Sequence, residues 1–276
     1  MARHDIEAAR TFLFVPATRP DRFDKAVGSG ADVVIIDLED AVAPDQKAGA
    51  RANVEKWLAS GGRAAVRVNG RNTVWFGDDL AVAARATAVV VAKAESAADV
   101  AAVGARYGSG LPVVPLVETP RGLYASREIC ETAGVVRVAF GNVDFAAETG
   151  VDPASHTALS AARSHLVYAS AAAGCAPPID GVTTSVKDPE ALSADTRHAR
   201  ELGFTAKLLI HPSQVGAVAE LLSPSPQEIR WARDLLASST GGVGTHDGHM
   251  IDEPVLRRAR QIAARAASGG AVPDQT

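Results

Sequence analysis

The stretch TFLFVPATRP, residues 11–20, decides between two folds. It reads as a short apolar strand, Thr11 to Pro16, running into Ala17-Thr18-Arg19-Pro20 without a glycine. An open doubly wound α/β sheet ordinarily follows its first strand with a glycine-rich phosphate cradle, GxGxxG. Here there is none. Working outward, seven more runs of the same kind follow: VVIIDLE (33–39), AAVRVN (64–69), AVVVAK (88–93), PVVPLVE (112–118), RVAFGN (137–142), PIDGV (178–182) and AKLLIH (206–211). They are continuous in Val, Ile and Leu rather than alternating, as in strands buried on both faces of a parallel sheet. Segments of helical character separate them, among them residues 20–30, 43–61, 95–107, 156–174 and 188–203. Asp188-Pro189-Glu190 supplies a cap and first turn, and Gly174 and Gly203 supply stops. Eight strands alternating with helices over about 220 residues predict an α/β chain closed as a (β/α)8 barrel of the TIM type.

After Leu222 the composition changes. SPSPQEIRWARDLLASSTGG reads as a capped helix, GVGTHDGH as a flexible loop, and MIDEPVLRRARQIAARAA as a second helix with Pro254 in its first turn. Two helices left over after an eighth strand cannot complete a barrel. The expected organisation is therefore a barrel over residues 1–222, a C-terminal helical lid or oligomerisation segment over 223–268, and a disordered tail over 269–276.

Composition excludes several classes of function. The 276 residues are 47% apolar and 22% charged, with a formal net charge of -4 and no basic block interleaved with aromatics. A nucleic-acid or anionic-membrane partner is not expected. Two cysteines, Cys130 and Cys175, are too few for a disulfide framework or thiolate metal cluster, and read as small buried hydrophobes. Asp5 and Glu7 precede the first apolar run, unlike a secretory signal, and no run reaches the roughly 18 residues of a membrane span. A soluble, cytoplasmic protein is expected.

In (β/α)8 enzymes the chemistry lies at the C-terminal ends of the strands. Those ends carry Asp37-Leu38-Glu39-Asp40, Arg67, Lys93, Glu118, Asn142-Val143-Asp144, Asp180 and His211. Nearly every strand delivers a polar group to one mouth. Glu118 and Asp144 come from adjacent strand ends and are hard oxygen donors, the usual way of holding a Mg²⁺ ion that keeps much of its hydration. The competing reading, less favoured by the spacing, is a pair of helix N-caps. Arg67 can clamp a substrate carboxylate with its planar fork, or partner the Asp37/Glu39/Asp40 cluster, or both. His246 and His249 sit on a glycine-rich loop, a poor platform for a ligand. His156 and His165 share a helix with Ser160 and Ser164, but no GxSxG elbow supports a hydrolase triad. Trp57, Trp75 and Trp231 read as packing residues.

LFVPATRPDRFDKA, ADVVIIDLEDAVAPDQKAGAR, VRVNG, AKAESAADV, VETPRG, FGNVDFA, IDGV, GFTAKLLIHPSQ and GHMIDEP occur in this order. From about residue 11 to about residue 265 the chain resembles the citrate lyase beta subunit and its relatives, the malyl-CoA and citramalyl-CoA lyases. The resemblance implies a trimeric or hexameric barrel whose C-terminal lid covers a neighbour's active site. It also implies a Mg²⁺-dependent reaction at a carbon–carbon bond of a 3-hydroxyacyl-CoA thioester. Carried over residue by residue, it makes Glu118 and Asp144 the metal ligands, and Arg67 the holder of the oxo-acid product and the enolate oxygen. Phe14, Arg19 and Lys25 fall where CoA or substrate is contacted, and Ile210 and His211 where the thioester arm lies. Glu39 and Asp40 become partners that orient metal waters and Arg67, and Asp252 becomes the lid aspartate. One departure is GNVDF, where relatives commonly show an acidic or small residue before the aspartate, so Asn142 and Val143 alter the pocket floor.

The expected activity is cleavage or formation of a 3-hydroxyacyl-CoA, giving acetyl-CoA and glyoxylate, pyruvate or oxaloacetate. Two rivals share the barrel. One is a CoA-free metal aldolase for 4-hydroxy-2-oxo acids, against which Arg19 and Lys25 argue. The other is a carrier-protein-dependent or non-catalytic subunit of a citrate lyase-type complex.

Overall fold

The computed structural model describes residues 3–238, 244–246 and 249–268. Eight parallel strands close in sequence order: β1 Thr11–Pro16, β2 Val33–Asp37, β3 Ala65–Val68, β4 Val89–Val91, β5 Val113–Val117, β6 Ala139–Phe140, β7 Ile179–Asp180 and β8 Ala206–Leu209. β8 pairs back onto β1, with Thr11 opposite Lys207, which completes the barrel. Each strand lies inside a run anticipated from the sequence.

Period-two alternation divides each strand between the barrel's interior and its helical coat. Phe12, Ile35, Val90, Val114, Leu116 and Leu208 belong to one interior cluster. Continuing two residues at a time, Ile35 leads to Asp37 and Glu39, Ala65 to Arg67, and Leu116 to Glu118. The apolar core thus gives way to a polar layer at the strand ends, without any change of side-chain direction.

The opposite end of the barrel is tied by Arg137, which is wholly buried. Its guanidinium donates to the carbonyls of Ala9 at 2.8 Å and Pro177 at 2.6 Å, and to Thr205 Oγ1 at 2.9 Å. Weaker donations reach Ile6 and Glu7, so a short helix Arg3–Ala8, not anticipated from the sequence, is fastened across the floor. Between sheet and coat, Arg163 of the helix His156–Ala173 and Lys207 of β8 both grip Asp180 of β7, at 2.7 and 2.8 Å. Among the coat helices, Ala97–Tyr107 and Pro189–Leu202 match the expected segments, while Phe76–Val82 carries no periodic signal strong enough to have announced it. Cys130 is buried, and the Cys175 thiol donates to its carbonyl at 3.3 Å; both are free thiols.

The chain divides into two compact units at Ala219/Glu220, three residues before the boundary expected from composition. The second unit opens with a capping box: Ser225 N donates to Glu228 Oε2 at 2.7 Å, and Glu228 N to Ser225 Oγ at 3.1 Å. That starts the helix Pro226–Ser238, which packs with Glu253–Ser268 around Ala232, Leu235, Leu256, Ala259 and Ile262. The expected flexible loop and the first residues of the expected second helix instead contain an antiparallel pair, β9 Gly244–His246 and β10 His249–Ile251, with Met250 opposite Thr245. Backbone pairing overrides a stretch whose glycines gave no strand signal. The side chains of His246 and His249, and the tail expected over 269–276, lie outside the described residues. Among the described residues no helix is long and apolar enough to cross a membrane.

Candidate active site

β2 and β3 are registered so that Asp37 stands opposite Arg67. The guanidinium closes on that carboxylate with both prongs, Nε to Oδ1 at 2.6 Å and Nη2 to Oδ2 at 2.7 Å. Burial alone would raise the Asp37 carboxyl, but the Arg67 charge and hydrogen bonds hold it below its ordinary value. Burial would likewise lower Arg67, and the Asp37 and Glu39 carboxylates outweigh it and raise it further, so the cation is permanent. The fork is therefore used inside the protein. What faces the mouth is Nη1, which lies 3.1 Å from Glu39 Oε2, with the guanidinium over the Phe14 ring at 4.7 Å. The two readings of Arg67 are compatible: its Nε–Nη2 edge partners Asp37 in the acidic cluster, and its Nη1 end is turned to the mouth.

Glu39 is 6% exposed, and its backbone is fixed by Lys47, whose buried ammonium donates to the carbonyls of Leu38 at 2.7 Å and Glu39 at 2.8 Å. Its Oε1 accepts from Lys93 Nζ at 2.6 Å. Its Oε2 is buried and has no hydrogen-bond donor, because the approach of Arg67 is close but not aligned. Burial raises the Glu39 carboxyl despite the opposing Arg67 charge. Asp40 is peripheral: it is more than half exposed and stands 3.8 Å from Arg67 and 3.7 Å from Lys93.

Glu118, at the end of β5, is 3% exposed and accepts the backbone N–H of Lys93 at 2.7 Å. Burial and then the nearby Glu39 push its carboxyl up to about 8. It is not a helix cap, since Thr119 fills that place for the helix Pro120–Tyr124 by accepting from Gly122 N. Asp144 is no cap either: it lies inside the first turn of the helix Asn142–Thr149. Gly141 makes the pair possible. A Cβ there would stand 2.3 Å from Glu118 Cβ and 2.6 Å from Oε2, so only glycine leaves this carboxylate its room.

These groups edge a cavity of about 380 Å³, otherwise lined by apolar side chains such as Phe14, Leu116, Phe140, Val143 and Val182. Ile210 also lines it, and is shared with a second cleft of about 390 Å³ that holds Arg19, Lys25 and His211. In that cleft Arg19 is exposed and pairs with Asp21 at 2.8 Å. His211 caps the turn after β8, where its Nδ1 accepts from Ser213 N at 3.2 Å. Asp252 belongs to the other unit and caps the helix Glu253–Ser268, its Oδ1 accepting from Val255 N at 3.2 Å.

The residue that sequence reasoning undervalued is Lys93. It was visible as a strand end but carried no role, and the structure puts its ammonium 3.1 Å from Asp144 Oδ2 as well as on Glu39. On the histidine helix His156 Nε2 bonds Asp195 Oδ1 at 2.7 Å, and Ser160 Oγ donates to the His156 carbonyl at 2.6 Å while standing 3.4 Å from His198 Nε2. Trp57 packs edge-on against Phe23, and Trp75 and Trp231 lie beneath Lys47 and Arg258.

As a metal site the donor set is oxygen only. Among the described residues no three His, Cys, Asp or Glu side chains converge as a cage. Two carboxylates with open positions for water and substrate oxygens suit Mg²⁺ and would suit Zn²⁺ poorly. The room that Gly141 clears around Glu118, and the Glu39 oxygen left without a hydrogen-bond donor, fit a hydrated ion.

The family model described as HpcH/HpaI aldolase/citrate lyase matches residues 10–212. A citrate lyase subunit beta-like protein of Mycobacterium tuberculosis is 37% identical over 265 residues, covering 92% of this chain and 94% of that protein. A (3S)-malyl-CoA thioesterase of Cereibacter sphaeroides is 35% identical over 276 residues, covering 95% and 96%. A solved structure of CitE from Mycobacterium tuberculosis with magnesium, acetoacetate and coenzyme A is similar with a TM-score of 0.81 at 35% identity, covering 95% of this chain and 99% of that one.

Proposed function

This chain belongs to the HpcH/HpaI aldolase/citrate lyase family, and on that footing we propose that it is a magnesium-dependent acyl-CoA lyase. The observation that carries the reading is the convergence of Glu118, Asp144 and a permanently charged Arg67 on one apolar cavity. Glu118 and Asp144 would hold the magnesium ion, which when bound would supply Lewis-acid polarisation of the oxo acid's oxygens.

In the cleavage direction the 3-hydroxyl loses its proton and the C2–C3 bond breaks. The electron pair of that bond moves onto the thioester carbonyl as an enolate, and the C3 oxygen becomes the carbonyl of the 2-oxo acid. A proton returned to C2 completes acetyl-CoA. Arg67 Nη1 is the group placed to meet the developing oxyanion, and it is pre-aimed because Asp37 holds the rest of the guanidinium. Phe14 backs it, and the apolar lining keeps bulk water from the carbanion. Glu39 and, more loosely, Asp40 balance the cations. Arg19 and Lys25 offer positive charge to the phosphates of CoA, with Ile210 and His211 along the thioester arm. Val143 and Asn142 at the cavity floor set the size of the oxo acid, among glyoxylate, pyruvate and oxaloacetate. A homotrimer or hexamer in the cytoplasm, with residues 223–268 as lid, completes the proposal.

The test is a panel of 3-hydroxyacyl-CoA esters with Mg²⁺, following acetyl-CoA, oxo acid and free CoA separately. Acetyl-CoA and oxo acid in equal amounts support the lyase. Free CoA without oxo acid points to hydrolysis, the activity named for the Cereibacter relative. Turnover only of 4-hydroxy-2-oxo acids points to the CoA-free aldolase. Inertness without an acyl carrier points to a complex subunit.

A further inference from the structure

Lys93 has φ 50°, a positive value that no other described non-glycine residue shares. A lysine gains nothing intrinsic from the left-handed region, and such strain persists only where its surroundings fix it. Here two contacts fix it. The backbone N–H is delivered to Glu118 Oε1 at 2.7 Å, while the side chain crosses to Glu39 at 2.6 Å and Asp144 at 3.1 Å. One residue thus touches both carboxylates of the magnesium site, one through its backbone and the other through its ammonium. In the extended conformation usual at a strand end, the N–H and the side chain would leave in other directions.

Acidic groups crowd this mouth: Asp40, Glu118 and Asp144 line the cavity, Glu39 is tied to it through Lys93, and Arg67 is engaged with Asp37. Lys93 Nζ is the cation between Glu39 and Asp144. Resting on the reading of Glu118 and Asp144 as the magnesium ligands, we propose that Lys93 is a built-in counter-cation of the metal site: its ammonium holds Asp144 until the divalent ion arrives, then yields Asp144 and keeps Glu39. Metal uptake is then an exchange at Asp144, whose carboxylate would give up its ammonium contact to serve the ion. Lys93 sets the affinity of the site, and its charge offsets those of Glu39 and Asp144 when no metal is bound. After the exchange its charge remains at the rim of the cavity, facing the anionic oxo acid.

The experiment measures metal affinity rather than turnover. Mg²⁺ binding by calorimetry and Mn²⁺ binding by spin resonance are compared in the full chain, in Lys93→Met and in Lys93→Arg, with Lys187→Met as a surface control. Removing the competing cation should tighten metal binding about tenfold or more, and Lys93→Arg and the control should stay near wild type. The metal-free melting temperature of Lys93→Met should fall, and the gap to wild type should narrow on saturation with Mg²⁺. Equal or weaker metal binding in Lys93→Met, or an equal loss of stability with and without metal, would overturn the proposal. Should Lys93→Met fail to fold, Lys93→Gln, which retains a donor for Glu39, carries the same comparison. Glu118→Gln and Asp144→Asn run alongside. If those two leave metal binding unchanged, the ligand assignment itself is wrong and the exchange falls with it. If they abolish it while Lys93→Met does not tighten it, only the role of Lys93 is wrong.

Discussion

At Glu118 burial and the neighbouring Glu39 act together to keep a proton on the carboxyl up to a pH of about 8. A carboxyl raised in this way adds stability that is fully present below its ordinary value of 4.5 and is lost as pH climbs through about 8. The metal-free protein should therefore lose this contribution across that window. Mg²⁺ affinity should rise over the same window, since the ion needs the carboxylate; a flat calorimetric profile between pH 6 and 8, roughly, would contradict the assignment. Glu118→Gln should abolish metal binding, fold normally and, without metal, melt no lower than wild type at alkaline pH. Arg67→Lys keeps the charge and loses the two-pronged hold on Asp37. We expect kcat to fall by about 100-fold with a much smaller change in KM, measured by steady-state kinetics on the best ester of the panel. Lys93 was not legible at this scale, because nothing in the sequence marks a lysine for a positive φ.

The strands were the most readable elements. Most of their runs are rich in Val, Ile and Leu, the two-residue β6 and β7 being the weakest, and each observed strand falls within the expected one. Helix Phe76–Val82 was missed because Asp78 and Asp79 interrupt its apolar pattern, and Asp79 turns out to be buried for a polar reason: it accepts from Asn69 N and Arg51 Nη1. β9 and β10 were missed because a short hairpin rests on pairing rather than on composition. Where an element begins can matter as much as whether it exists. Gly141 ends β6 one residue before its helix starts, and Gly141→Ala would drive a methyl group into Glu118. That variant should lose metal binding and about 1–3 kcal/mol of stability, read by calorimetry and denaturant titration. At the start of the last helix, Asp252→Ala should cost about 1 kcal/mol of capping, while Asp252→Asn keeps the cap. Loss of turnover in the Asn variant with an unchanged melting temperature would add chemistry to the capping role, and full turnover would leave the cap alone.

Over the whole molecule, chemistry and stability sit at opposite ends of the barrel. Arg137→Met strips the floor of its donors to Ala9, Pro177 and Thr205, and should destabilise the fold by roughly 3 kcal/mol or more. Metal affinity should not change, and a shift in it would show that the two ends are coupled. The sequence announced the polar mouth but not this floor, since a lone arginine opening a strand run looks like surface. Closure of β8 onto β1 has a further consequence for how the protein is made. Thr11 through Leu13 find their partners only at Lys207 through Leu209, so during synthesis the first strand waits with one open edge while nearly the whole barrel emerges from the ribosome. Arg137 is bound by the same delay, because Thr205 is among its acceptors. A nascent chain arrested before residue 206 should remain protease-sensitive and open to capture by chaperones, and one released just beyond β8 should become resistant in a single step.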